Sequence, residues 1–165
     1  MPSDGSETLA QERRLVHFSV NGRAYAIDIH RIQEIIFSRE VTPLPMSPSF
    51  ILGVIELRGQ IIPVICLKGR LGLTAGKMDS RVPSNGNSSH ILIVRIGGRT
   101  TGLMVDEVQE VVRIHHGAIH PPDQFFTGEE CKYLEGIGRL NDQLILILDL
   151  DQLLSLEDVK SLEQG

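Results

Sequence analysis

The chain has 165 residues, a net charge of −5, 41% hydrophobic residues and 4% aromatic ones. An acidic balance without Trp argues against nucleic acid, whose binders need a basic footprint and stacking rings, and no apolar run reaches the ~18 residues that would span a bilayer. Cys66 and Cys131 lie far apart and outside any C-x-x-C pair, which fits reduced thiols of a cytosolic protein better than a disulfide framework.

The aliphatic residues are 18 Ile, 20 Leu and 12 Val against 5 Ala. Val and Ile lose side-chain freedom in helices and pack well on pleated surfaces, so this excess predicts strands. In chain order, residues 1–14 (MPSDGSETLAQERR) are polar, exclude a signal peptide and predict a disordered or frayed start. Val16, Phe18 and Val20 alternate with more polar neighbours, and Tyr25, Ile27 and Ile29 alternate again after Asn21-Gly22. That pattern is a hairpin closed by a two-residue turn with positive φ. Ser47 and Pro48 predict a short helical segment running toward Gly53. A hairpin turning at Arg58-Gly59 leads into the apolar run Ile61 to Ile65, which suits a strand covered on both faces.

Residues 74–89 (TAGKMDSRVPSNGNSS) are rich in Gly, Ser, Asn and Pro and predict a flexible connection. Leu92, Val94 and Ile96 then alternate up to Gly97-Gly98, followed by Thr101, Leu103 and Val105. Pro121-Pro122 match the earlier helical segment, and the turn at Asn141-Asp142 leads into the second apolar run, Leu144 to Leu148. Leucines at 150, 153, 154 and 156 predict a C-terminal helix over 150–162.

Sliding the chain against itself exposes a duplication. At a shift of 76, residues 20–36 lie on 96–112, with Gly22/Gly98, Arg23/Arg99, Gln33/Gln109 and Glu34/Glu110 identical. At a shift of 83, residues 51–67 lie on 134–150, with Gly53/Gly136, Leu57/Leu140, Gln60/Gln143 and Leu67/Leu150 identical. Two copies of one unit of about 75 residues predict an all-β chain of two small barrels, since closure removes exposed strand edges. The barrels fall at about 15–73 and 90–156, with the terminal segments free to cross between them.

Little in the sequence supports chemistry. There is no G-x-S-x-G, and Gly72 to Met78 (GLTAGKM) fails the spacing of a phosphate loop. His115, His116 and His120, with Asp123, form the one metal-like cluster. Adjacent strand histidines point to opposite faces and no zinc-enzyme spacing is present, so they read as solvated loop residues and no metal or cofactor is predicted. Glu129-Glu130 and Asp106-Glu107 read as solvated charge. Arg58 contradicts its local setting: the second copy turns on Asn141, which tolerates positive φ, whereas a bulky cation does not favour that turn. Either Gly59 takes the strain while Arg58 faces water, or the arginine has a function.

The stretches FSVNGRAYAIDIHRIQEI (18–35), VTPLPMSPSFILGVIELRGQIIPVICL (41–67) and the block from Ile91 to Leu154 resemble the chemotaxis coupling family CheW over about Leu15 to Leu156. The diagnostic combination is I-D-I-x-x-(I/V)-Q-E-I, P-x-F-(I/L)-x-G-V-x-x-L-R-G and a distal Y-L-x-G-(I/L)-G. The resemblance implies two five-stranded SH3-like β-barrels forming one CheW-like domain over 15–165. It implies a non-catalytic adaptor, cytoplasmic and recruited to membrane receptor arrays. Its partners would be the cytoplasmic tips of methyl-accepting chemoreceptors and the regulatory domain of the histidine kinase CheA, with self-association in arrays left open. Carried over by position, Ile32, Gly53 and Gly102 would bind receptor, the glycines by letting a partner helix come close. Glu34 and Arg58 would serve kinase binding and coupling, the guanidinium pairing with a partner carboxylate. Many family members carry Asp at the position of Cys66 and Arg at that of Lys68, while Asp149 keeps the acidic form. A coupling role in another receptor-kinase pathway, or a metal-dependent enzyme using the histidines, are the alternatives.

Overall fold

The computed structural model describes residues 12–45, 48–71, 89–122 and 132–153. Among these the chain forms ten strands: β1 (Glu12–Val20), β2 (Arg23–Asp28), β3 (Ile32–Phe37), β4 (Ile51–Leu57), β5 (Gln60–Cys66), β6 (His90–Ile96), β7 (Arg99–Val105), β8 (Glu107–His115), β9 (Leu134–Leu140) and β10 (Gln143–Leu148). Two single-turn helices, α1 (Leu67–Arg70) and α2 (Leu150–Leu153), follow β5 and β10. The strands build two five-stranded sheets, ordered β8-β1-β2-β10-β9 and β3-β6-β7-β5-β4. After β3 the chain bends so that Thr42 bridges Val54 of β4, and after β8 His120 bridges Ile137 of β9, each bridge helping its sheet to close into an SH3-like barrel.

The barrels do not follow the halves of the chain. Strands β3 to β7, residues 32–105, make an inserted barrel, and the leading hairpin β1–β2 joins β8, β9 and β10 in a terminal barrel. The division at 15–73 and 90–156 is therefore replaced by crossings at residues 29–31 and at Asp106, so that each copy lends its first hairpin to the other's barrel. Alternation alone cannot choose between partners of the same pattern. Strand β1 also starts earlier than the frayed segment allows: Arg13 pairs with Ile114, and its guanidinium reaches Asp28 and Glu135.

Strands β1, β2, β5, β6, β7 and β10 are apolar on both faces because each has two cores to fill. Ala24 and Ala26 of β2 face the terminal barrel's interior with Val112, Ile114, Ile145 and Ile147, while Tyr25 and Ile27 face the other barrel. In the inserted barrel Ile91, Ile93, Ile62, Val64 and Met104 fill the interior, and Leu92, Val94, Leu103 and Ile65 face outward into the shared core. Burial of a Leu or Ile side chain stabilises by roughly 1.5–3 kcal/mol, so the interface between the barrels is a hydrophobic core in its own right. Coverage on both faces begins only at Ile62 and Ile145: Ile61 and Leu144 are exposed.

The duplication extends to irregularities. Gln33 and Gln109 are both extra residues of a β-bulge, as are Leu52 and Glu135; such bulges bend a strand at a barrel's corner. Helices α1 and α2 are equivalent turns, and Leu67 and Leu150 meet in the shared core. Arg70 of α1 donates from Nε to the Leu153 carbonyl at 2.6 Å and stacks over Phe50 and Tyr133, another equivalent pair. The helical segment predicted after Ser47 is instead a single turn, with Ile51 N–H donating to the Pro48 carbonyl. Of the predicted C-terminal helix, Leu150–Leu153 is present and the remainder lies outside the described residues, as do most of the 74–89 connection, Asp123, Glu129-Glu130 and Cys131. Cys66 is a buried free thiol.

Candidate functional site

Three of the expected site residues, Glu34 from the kinase group and Gly102 and Gly53 from the receptor group, lie on one line across the inserted barrel. Glu34, Ile93, Gly102, Val64 and Gly53 are register partners across β3, β6, β7, β5 and β4, and Ile32 sits one step away opposite Val94. Sequence separation hides this row, because it joins residues from both copies.

The two glycines are buried and serve the fold itself. Gly53 has φ +148°, and a Cβ there would overlap the Thr42 backbone at the closing bridge. A Cβ at Gly102 would come within 2.8 Å of Ile91 Cγ2 inside the barrel. Their missing side chains therefore admit neighbouring parts of this chain, which corrects the expectation that they open space for a partner helix. Ile32 is half-buried against the shared core.

Arg58 occupies the tip of the β4–β5 hairpin at φ +52°, followed by Gly59 at +81°. The arginine itself takes the left-handed conformation, a cost of about 1–2 kcal/mol for a side chain with Cβ. Asn21 and Asn141 hold the same conformation at two other hairpins, where their short polar side chains suit it. The guanidinium forms a fork on Glu34, Nη1 to Oε1 at 2.6 Å and Nη2 to Oε2 at 2.5 Å. These hydrogen bonds, with the positive charges of Arg58 and Arg39, hold the Glu34 carboxyl below its ordinary range, and Glu34 in turn raises the guanidinium pKa. Arg39 donates to the Glu56 carbonyl at 3.2 Å. Two arginines thus bridge β3 and its exit to β4 and its hairpin. The fork that could have met a partner carboxylate is filled within the chain, and a partner meets a paired, nearly neutral unit.

The inserted barrel that carries this latch also exposes large apolar side chains. Phe37 is 70% exposed and Ile61 68% exposed, with Ile35 nearby in sequence on β3. Of these, the sequence pattern predicts Ile61 to be covered, as the start of the apolar run to Ile65, and does not single out Phe37 or Ile35. The equivalents of Ile35 and Ile61, Val111 and Leu144, are also exposed, and Leu144 lines a groove of about 530 Å³ with Ala118, His120, Ile137 and Leu146. A mixed-charge cleft of about 470 Å³ lies where Arg13, Asp28, Arg31, Glu135 and Asp151 meet. In it burial pushes the Asp28 carboxyl up, but hydrogen bonds from His30 and Arg13 outweigh burial and leave it lowered.

The histidines take structural places. His115 Nδ1 accepts from Gly117 N–H and caps the short 3-10 turn that contains His116, while His120 is tied to Ile137 through its backbone. Among the described residues no three His, Cys, Asp or Glu side chains converge as a metal-binding group, and no helix is long and apolar enough to cross a membrane.

Two barrels presenting apolar patches and a charged latch define a β-barrel protein-interaction module. The CheW-like domain profile matches residues 14–158, and the chain belongs to that family, whose members are non-catalytic chemotaxis scaffolds. It is 31% identical to the chemotaxis protein CheW of Klebsiella aerogenes, over 93% of this chain and 87% of that one. Its identity to CheW of Thermotoga maritima is 30%, over 91% and 93%. The crystal structure of the scaffolding protein TtCheW from Thermoanaerobacter tengcongensis superposes with a TM-score of 0.77 at 37% identity, over 88% of this chain and 94% of that one.

Proposed function

We propose that the chain couples membrane chemoreceptors to a CheA-type histidine kinase, acting in the cytoplasm as a scaffold that fixes their relative position. The observation that carries this reading is Arg58: it holds a strained backbone and an ion pair at a hairpin tip, while the equivalent hairpin closes its barrel on Asn141. Local misfit without a folding need is the mark of a binding feature. Glu34 and Arg58 would form the polar centre of the kinase contact, with Ile35, Phe37 and Ile61 as its apolar surround. Receptor would contact Ile32, and Gly53 and Gly102 would support that surface from beneath by letting the barrel close tightly.

Binding of the purified chain to the kinase regulatory domain and to a receptor cytoplasmic tip tests the reading. Arg58→Glu should keep the wild-type circular dichroism spectrum and lose at least about tenfold in affinity for the kinase domain, the scale of one buried charged contact. The charge swap Glu34→Arg with Arg58→Glu should recover part of the loss, since it restores the internal pair. Full binding of both partners by folded Arg58→Glu would sink the assignment.

A further inference from the structure

We propose that two copies of this chain can exchange the β1–β2 hairpin, each terminal barrel then being completed by the other chain's residues 12–28. The hairpin supplies the second and third strands of its sheet, yet its ladder partners are β8 on one side and β10 on the other, both more than 75 residues away in sequence. It has no ladder with the inserted barrel to which it is directly joined. The joint is the three-residue 3-10 turn Ile29–Arg31, none of it buried.

Every contact of the hairpin can be remade between chains with the same chemistry. Arg13 and Asp28 both travel with it, so their 3.0 Å ion pair survives exchange, and Arg13 meets Glu135 of whichever chain supplies β9. Phe18, Val20, Tyr25 and Ile27 fill the same shared core. What separates the closed chain from the exchanged pair is the conformation of the turn. It is folded back by the Asp28 carboxylate, which accepts the His30 backbone N–H at 2.8 Å, and by Arg31, which donates to the Arg95 carbonyl and to Asp151. The closed form then wins only through its effective concentration, on the order of millimolar for a short tether. A joint too short to fold back makes exchange the lower-energy state.

Ser19 and Glu107 are register partners of β1 and β8, so a disulfide between Ser19→Cys on one chain and Glu107→Cys on another reports exchange and no other form of dimer. Full-length chains carrying one of these substitutions each, in a Cys131→Ser background, would be mixed and oxidised. When they are mixed natively at micromolar concentration, cross-linked product should stay at background. When they are unfolded together and refolded at about 1 mM, product should rise at least about tenfold. Removing Ile29 and His30 should give a dimer at micromolar concentration by light scattering, with the same inter-chain disulfide. Background cross-linking after joint refolding at 1 mM overturns the proposal, whether or not the shortened variant folds, and so does a folded shortened variant that is monomeric or dimerises without that disulfide.

Discussion

The terminal and inserted barrels are two executions of one plan, and their differences separate what folding needs from what it does not. Both contain a register row across all five strands: Glu34, Ile93, Gly102, Val64 and Gly53 in one, Glu110, His17, Ala26, Ile147 and Gly136 in the other. The acid and the closing glycine are kept at the two ends. Among the described residues only the inserted barrel sets an arginine against the acid, because position 141 is Asn where position 58 is Arg. The terminal barrel closes without the ion pair, so a barrel of this design does not require it. The glycines differ in the opposite sense: Gly53 sits at positive φ against backbone, whereas a Cβ at Gly136 would meet the Ile119 side chain at 2.6 Å and the His120 carbonyl at 3.3 Å.

Alanine at the two glycines tests this contrast and carries the largest expected effects. Gly53→Ala combines a disfavoured φ with a clash on the Thr42 carbonyl, which is main chain and part of the barrel closure. It should cost about 3 kcal/mol and lower Tm by about 10 °C. Gly136→Ala keeps an allowed φ but must displace the branched Cγ2 of Ile119, and should cost about 2 kcal/mol. Equal losses in thermal denaturation would mean that the two closures are mechanically alike. Replacing Arg58 with Asn gives the inserted barrel the other barrel's turn residue. Tm should hold or rise slightly because Asn tolerates the left-handed backbone, while affinity for the kinase regulatory domain falls at least about tenfold. A marked fall in Tm would instead make the latch a folding element.

Turns and duplication were legible in the sequence because they depend on local chemistry. Asn21-Gly22, Gly97-Gly98 and Asn141 are all at positive φ as their residue types require, and the bulges recur at Gln33 and Gln109 because a shared corner needs the same extra residue. The exchange of hairpins was not legible, since β2 and β7 present the same alternation to either barrel. Exposure of Ile61 and Leu144 was hidden for a related reason: a strand end that leaves the core keeps the apolar composition of its run. Of the proposed site, Arg58 stands out by its misfit to the turn and Glu34 and Ile32 only through the family resemblance, while the filling of the guanidinium fork by Glu34 is a property of tertiary register.

The helical turns α1 and α2 allow a smaller comparison. Each begins at an equivalent cap residue whose backbone N–H is held by an equivalent aromatic residue's carbonyl, Cys66 by Phe50 at 2.7 Å and Asp149 by Tyr133 at 2.9 Å. Asp149 Oδ1 also accepts the Asp151 N–H at 3.1 Å, whereas Cys66 makes no side-chain cap bond. Asp149→Ala should therefore cost about 1 kcal/mol. Cys66→Asp should change stability by less, because the new cap is offset by ionising a group in a site that leaves the cysteine 8% exposed. A gain as large as the Asp149→Ala loss would show that this site solvates a carboxylate well.

Acid titration separates the two barrels by the weakest forces. Asp28 in the terminal barrel and Glu34 in the inserted one both have carboxyl pKa values lowered from 3.8 and 4.5 respectively. A lowered folded-state pKa means that the unfolded chain binds more protons through that range, so stability rises with pH there. The contribution is complete above the unfolded values and is lost as pH falls through the folded ones, which places the change in Tm below about pH 5. Glu34→Gln and Asp28→Asn should each flatten that slope, and salt should tell them apart. The Glu34–Arg58 pair has a 69% exposed guanidinium, and at 1 M salt screening acts within about 3 Å, so the longer-range charge part of the slope removed by Glu34→Gln should shrink in salt for the wild type as well. Asp28 is held by the His30 N–H and by an Arg13 side chain only 16% exposed, so the slope it contributes should persist. A salt response of the same size for both residues would mean that the crossing at 29–31 is as open to water as the hairpin tip.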